Sequence, residues 1–250
     1  QDVQAEAYDY PAEFFASSLV RVRAPPPEAL ELDAVASLLR AAKQPMLIAG
    51  GGVLYSDGGA DALRRFAEVH RLPVTETQAG KSALPWDHPL QAGAIGVTGS
   101  TAANELARNA DLVLAVGTRL SDFTTGSHSL FPQARLVAIN VNAFDALKWR
   151  AAVVLGDAAT TLDGLSTRLG GWTATAAWQE KAAREAEAWR ATVSGIVGVR
   201  EVAPPALPYD GEVIGAVQRS HPQSAAQDIV VCAAGTLPAE LHKLWRAAGP

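Results

Sequence analysis

Apolar positions along the chain follow two alternating periods. Short continuous apolar runs at residues 45–53, 73–77, 111–116, 135–141 and 152–155 have the length of strands. Between them apolar residues recur at i, i+3, i+4 and i+7. One such set is Val35, Leu38, Leu39 and Ala42, with Asp33 as the expected cap; a second, Leu63, Phe66, Ala67 and His70, starts near Gly59. A third is Ala103, Leu106, Ala107 and Ala110, capped by Ser100 or Thr101, and Leu162, Leu165 and Leu169 make a fourth. The runs read as buried strands and the 3.6-residue period as one apolar helix face. Strands interleaved with helices in this way predict an α/β fold, a mostly parallel sheet with helices on both faces. His70, on an apolar face, reads as a packed histidine.

The pattern changes after residue 170. Residues 175–192 form a helix rich in Trp, Ala, Glu and Arg, and 203–208 a proline-rich linker. Asp210 then caps a helix with Val213, Ile214 and Val217, which leads through Ser220, His221 and Pro222 to the apolar run Ile229 to Cys232. That run reads as a buried strand. A strand and one short helix cannot cover both strand faces, so it is expected to belong to a second sheet, with the chain as a fragment. At the other end Pro25, Pro26 and Pro27 form a stiff linker. The organisation expected is 1–29, a lead-in and linker; 30–170, the central α/β domain; 171–209, a helix and linker; and 210–250, the truncated start of another domain.

Composition works by exclusion. A net charge of −5 with no cluster of Lys and Arg removes the nucleic-acid class. The single Cys232 offers neither a disulfide framework nor a metal-ligand spacing, which suits a reducing compartment. No apolar run approaches the roughly 18 residues of a membrane span, and nothing near Gln1 resembles a signal peptide. The expectation is a cytoplasmic protein whose partner is a small molecule, with no nucleic acid and no membrane.

Candidate chemistry lies at the carboxyl ends of the runs. Gly50, Gly51 and Gly52 follow the first strand, where glycine lets a phosphate or sugar come close to the backbone beside a helix N-terminus. Neither G-x-G-x-x-G nor G-x-x-x-x-G-K-[ST] fits, so a tight turn without a ligand is the alternative. In the loop at 78–89, Lys81 could meet a phosphate and Asp87 with His88 could form an acid–base pair; each is as easily a solvated loop residue. Arg119, just past the third strand, suits a phosphate or a carboxylate, the alternative being an ion pair with Asp122. Asn140 ends the fourth strand where a dinucleotide site often carries a carboxylate, which weakens a dinucleotide reading.

One ordered set of motifs resembles the central domain of thiamine-diphosphate enzymes related to acetohydroxyacid synthase, pyruvate oxidase and glyoxylate carboligase. It runs from Pro45 to Gly52, then Gly80-Lys81 with Pro85 and Asp87-His88-Pro89-Leu90, Gly93 to Gly99, Gly117-Thr118-Arg119, Val137 to Asn142 and Gly156-Asp157. The resemblance covers about residues 30–170. On the flanks, Asp2-Val3-Gln4 resembles the last strand of the preceding pyrimidine-binding domain, and Ile229 to Leu237 the first strand and loop of the diphosphate-binding domain. Within the superfamily, Glu76-Thr77-Gln78-Ala79-Gly80-Lys81, Leu84-Pro85-Trp86-Asp87-His88-Pro89, Phe123-Thr124-Thr125-Gly126-Ser127 and Leu241-His242-Lys243-Leu244-Trp245 resemble the hydrolase branch of inositol catabolism.

The resemblance implies hydrolytic cleavage of a C–C bond in a cyclic 1,2-diketone to give 5-deoxyglucuronate, dependent on thiamine diphosphate and Mg²⁺, in a homo-oligomer. It implies that Gly235, Thr236 and Leu237 contact the diphosphate. It also implies that Gly50, Gly51, Arg119 and Asp157 line a crevice that holds FAD in some relatives. Asn140 and Asn142 replace the acidic residues usual at the fourth strand there, so FAD is not expected and the crevice is expected to be a remnant. The glutamate that activates the cofactor and the Gly-Asp-Gly…Asn element that holds Mg²⁺ do not occur in the sequence. No catalytic residue and no metal ligand is therefore expected in the chain, which should be inactive alone. Two alternatives stand beside this: another thiamine-diphosphate carboligase or lyase, and a nucleotide-binding module for FAD, NAD or ADP without thiamine chemistry.

Overall fold

β1 (Pro45–Ala49) and β4 (Leu112–Val116) carry apolar side chains throughout and every residue of both is buried. Strands without a polar face belong in the middle of a parallel sheet covered on both sides. The computed structural model, which describes residues 1–19, 23–199, 207–220, 227–233 and 235–250, places them side by side. Their register runs from Pro45 opposite Leu112 to Ala49 opposite Val116. β2 (Val74–Glu76) and β3 (Gln91–Ala94) extend the sheet on one side, β5 (Arg135–Asn140) and β6 (Ala152–Leu155) on the other. The order is β3-β2-β1-β4-β5-β6 and every pairing is parallel. The chain thus reverses its direction of travel across the sheet between β1 and β4, and a crevice opens beyond the carboxyl ends of those two strands.

Eleven α-helical segments are described: α1 (Asp2–Ala5), α2 (Ala29–Ala41), α3 (Gly51–Leu54), α4 (Gly59–His70), α5 (Thr101–Asn109), α6 (Asp122–Thr125), α7 (Ala143–Ala146), α8 (Ala158–Leu169), α9 (Ala176–Val197), α10 (Asp210–Ser220) and α11 (Thr236–Leu244). α2 and α4 pack on α8, and α5 packs on α9. One apolar core joins the sheet to these helices, with Leu39, Ile48, Leu63, Phe66, Leu106, Val113 and Leu162 in it. His70 is buried there as a packing residue. Its ring lies between the Trp172 carbonyl, 2.7 Å from Nδ1, and Ser166 Oγ, 3.0 Å from Nε2, and burial lowers its pKa. The core does not stop at residue 170: Trp178 of α9 is buried in it, donating from Nε1 to the Pro45 carbonyl at 2.7 Å. α9 then runs on to a second apolar cluster, in which Val193 and Val197 meet Ile214 of α10 and Leu244 of α11.

Several expectations are corrected. There are six strands, not five, because Gln91 to Ala94 adds an edge strand built from small residues. Asp33 is inside α2, whose N-cap is Glu28, and its carboxylate pairs with Arg168 Nε of α8 at 2.5 Å. Asp2 to Gln4 lie in a helical turn that buries nothing, since no neighbouring strand pairs with them. Residues 228–233 are likewise not a strand; Ile229 is 91% and Val231 88% exposed, and no ladder is formed. Asp210 is the first residue of α10, and the cap bond comes from Glu212, whose carboxylate accepts from the Tyr209 N–H at 3.0 Å. α10 buries Gly211, Ile214 and Gly215, leaving Val213 and Val217 exposed. Of the expected linker and turn, residues 203–206 and His221 and Pro222 lie outside the described residues, as does Ala234.

Candidate functional site

The turn after β1 meets the turn after β4 at backbone distance. Gly50 N–H donates to Val116 O at 2.8 Å and Gly52 N–H to Gly117 O at 2.9 Å. A Cβ on Gly50 would stand 2.3 Å from Gly117 O, and one on Gly52 2.7 Å from Gly117 Cα. Gly117 itself has a φ of +62°, a conformation other residues adopt only under strain. The glycines therefore do a different job from the one their spacing suggested: they let two loops of the protein touch, which closes the floor of the crevice. Gly80, in the turn after β2, repeats the device against Ala49 O, 2.1 Å from where its Cβ would be.

Above that floor is a crevice of about 540 Å³. Gly51, Tyr55, Gln78, Thr118, Arg119 and Phe123 are on its walls, and Arg119 is the one charged side chain among the lining residues. Arg119 is exposed and makes no ion pair with Asp122 among the described residues. One cation among hydroxyls, an amide and two aromatic rings can receive a phosphate or a carboxylate, with a flat group against Tyr55 or Phe123. Of the crevice residues inferred from the sequence, Gly51 and Arg119 are on its walls and Gly50 is in its buried floor. Asp157 is not brought to it. It stands at the end of β6, beyond β5, and its carboxylate caps α8 by accepting from Thr160 N at 3.1 Å.

The amides at the end of β5 are spent on the protein itself. Asn140, buried, donates from Nδ2 to Thr118 O at 3.2 Å and accepts from Asn142 N at 3.0 Å. Asn142 caps α7 by accepting from Phe144 N at 2.9 Å. A carboxylate at position 140 would face the Thr118 carbonyl without a proton to offer it, so the asparagine fits this contact as an acid would not.

The loop after β2 is organised by Glu76, which the sequence reading did not single out. Its buried carboxylate pairs with Lys81 Nζ at 2.9 Å and accepts from Ser82 N at 3.0 Å and Gln91 Nε2 at 3.2 Å. Lys81 is thus held by an internal acid rather than offered to a phosphate. His88 pairs with Glu68 at 3.1 Å, not with Asp87. The signal that could have found Glu76 is its place as the one charged residue of a buried strand, five positions before a lysine.

Gly235, Thr236 and Leu237 open α11 on the far side of that loop. Gly235 has a φ of +133°, a Cβ there would meet nothing within 4 Å, and no side chain caps the helix. Backbone amides in such a turn are open to an anion. One turn further, His242 is buried with its ring against the Glu76 and Thr77 backbone. Burial first, then the neighbouring Lys81 and Lys243 charges, push its pKa down to about 4, while the Glu76 and Thr77 backbone close to the ring opposes the shift.

Comparison with known proteins agrees with this architecture. Residues 32–165 match the family described as thiamine pyrophosphate enzyme, central domain. The chain is similar to proteins named 3D-(3,5/4)-trihydroxycyclohexane-1,2-dione hydrolase. It is 37% identical to the one from Geobacillus thermodenitrificans, over 98% of this chain and 40% of that protein. It is 36% identical to one from Clostridium perfringens, over 98% of this chain and 41% of that protein. Identity to hydrolase 1 of Bacillus cereus is also 36%, over 100% of this chain and 42% of that protein. The chain spans about 40% of the length of these relatives.

Proposed function

Because this chain belongs to the thiamine pyrophosphate enzyme family through its central domain, we propose that it serves a hydrolase that opens trihydroxycyclohexanedione, a cyclic 1,2-diketone, to 5-deoxyglucuronate. The observation that carries the reading is the identity to hydrolases of that name across 98% of the chain, well past the 32–165 segment that the family shares. In the reaction one C–C bond between adjacent carbonyls breaks and one water is consumed. Its OH goes to the carbon that becomes the carboxyl, and its H to the carbon that becomes the aldehyde. Thiamine diphosphate, when bound, supplies the electron sink for the pair in that bond.

This chain's contribution is spacing and anion binding. The Glu76–Lys81 pair orders the turn after β2, and His242 of α11 is buried against the same turn. Gly235, Thr236 and Leu237 would receive the diphosphate with backbone amides, and the open, uncapped turn fits that group. For Mg²⁺ the fit is absent: among the described residues no three His, Cys, Asp or Glu side chains converge on a metal position. The metal's ligands in this reading come from elsewhere in the whole protein, which works as a cytoplasmic homo-oligomer. No helix among the described residues is long and apolar enough to cross a membrane.

The experiment is an assay of the full-length protein with thiamine diphosphate, Mg²⁺ and trihydroxycyclohexanedione, following 5-deoxyglucuronate. Product that disappears when the cofactor is left out supports the proposal. Turnover of pyruvate or glyoxylate in its place moves the protein to the carboligases and refutes it. We also propose that the switch-point crevice binds no FAD, since Asn140 and Asn142 are committed to internal bonds where an acidic residue is usual. Yellow, stoichiometric protein after incubation with FAD would overturn this and favour the nucleotide-module reading.

A further inference from the structure

A second, much smaller cavity, about 30 Å³, lies between α9, α11 and the edge of the sheet. Glu76, Lys81, Trp86, Arg190, Lys243 and Arg246 are on its walls. Two of the four cations are neutralised, Lys81 by Glu76 at 2.9 Å and Lys243 by Glu240 at 2.6 Å. The two guanidiniums are not. Arg246 donates from Nη2 to the neutral Ser194 Oγ at 2.7 Å and stacks over Trp86 at 4.5 Å, while its Nε is buried without a partner. Arg190 makes no ion pair among the described residues, and its Nη1 is buried with nothing to donate to. Burial lowers the Arg246 pKa with no acid opposing the shift.

Each buried charged donor without an acceptor destabilises the fold. The one carboxylate on the wall, Glu76, bonds Lys81, Ser82 and Gln91 and neither arginine among the described residues. Water could accept the two N–H groups but would leave two positive charges in a space partly closed to solvent. The cavity has room for one or two water-sized species and none for an organic ligand. We propose that it holds a small inorganic monoanion of chloride size, accepting from Arg190 Nη1 and Arg246 Nε.

The test is thermal unfolding of the full-length protein in sodium gluconate, with chloride or bromide replacing gluconate at constant ionic strength. The proposal expects a saturable rise in Tm with either halide, lost in Arg190→Gln and in Arg246→Gln. Each variant is read against its own value in gluconate, so a variant that is merely less stable still answers. Crystals of the unsubstituted protein grown in bromide should also show an anomalous scatterer within hydrogen-bond distance of both arginines, which together with the solution response locates the ion. A Tm indifferent to halide, with ordered water in the cavity, overturns the proposal. So does a halide response that survives both substitutions, or a bromide peak with no response in solution, which is an adventitious ion only.

Discussion

The crevice over β1 and β4 and the seam beneath α11 differ in how their polar groups are satisfied. Around the crevice the floor is backbone bonded to backbone, Asn140 and Asn142 bond internally, and no buried side-chain polar atom of its lining lacks a partner among the described residues. In the seam, Arg190 and Arg246 both hold buried nitrogens without one. A doubly wound sheet places its ligand crevice at the switch point by topology alone. Here the unmet hydrogen-bonding capacity is elsewhere, so the position a fold provides and the position a sequence leaves chemically unfinished are separate properties.

The contrast can be broken from either side. Gly50→Ala puts a methyl 2.3 Å from a carbonyl oxygen that is itself fixed in a turn, and should cost about 4 kcal/mol in urea unfolding. In the seam, His242 provides a pH test. Its folded pKa lies below the ordinary 6.5, so the unfolded chain takes up the proton first as pH falls. Stability is whole above pH 6.5, declines below it and levels off near pH 4, a loss of about 3 kcal/mol. His242→Gln should flatten that part of the curve, measured at fixed chloride. Glu76→Gln keeps the bonds from Ser82 and Gln91 possible but strands the Lys81 charge, and about 2 kcal/mol should go. Arg119→Ala, on an exposed wall, should change stability by no more than about 0.5 kcal/mol. A larger loss would mean that the crevice arginine is structural after all.

Much of this fold is legible from apolar runs because β1 and β4 are buried throughout and β5 from Val137 on, which leaves no polar alternation to misread. Where the reading fails, small residues carry the packing. β3 is Gln-Ala-Gly-Ala, with no β-branched or aromatic side chain to mark it. α10 turns Gly211 and Gly215 inward and not its valines, because a Cβ on Gly215 would stand 2.1 Å from the Val197 carbonyl and only glycine allows that approach. The site was legible to a similar depth. Gly51 and Arg119 are where the strand ends put them, but side-chain bonding decides the rest: Asp157 and Asn142 cap helices, and Lys81 and His88 are held by Glu76 and Glu68. Spacing along a chain says where a carboxylate is, not which donor reaches it first.

α9 has one end in the sheet core, at Trp178 and Ala182, and the other, at Val193 and Val197, in the cluster with α10 and α11. Over its 22 residues it works as an axle about 33 Å long with a fitting at each end. Inserting or removing one residue between the fittings would turn the far one by about 100° and slide it by about 1.5 Å, swinging Val193 and Val197 away from Ile214 and Leu244. Exposed positions in that span, such as Arg184, Glu187 and Ala188, can change identity with little consequence. Their number is what sets the gearing between the two ends of the molecule.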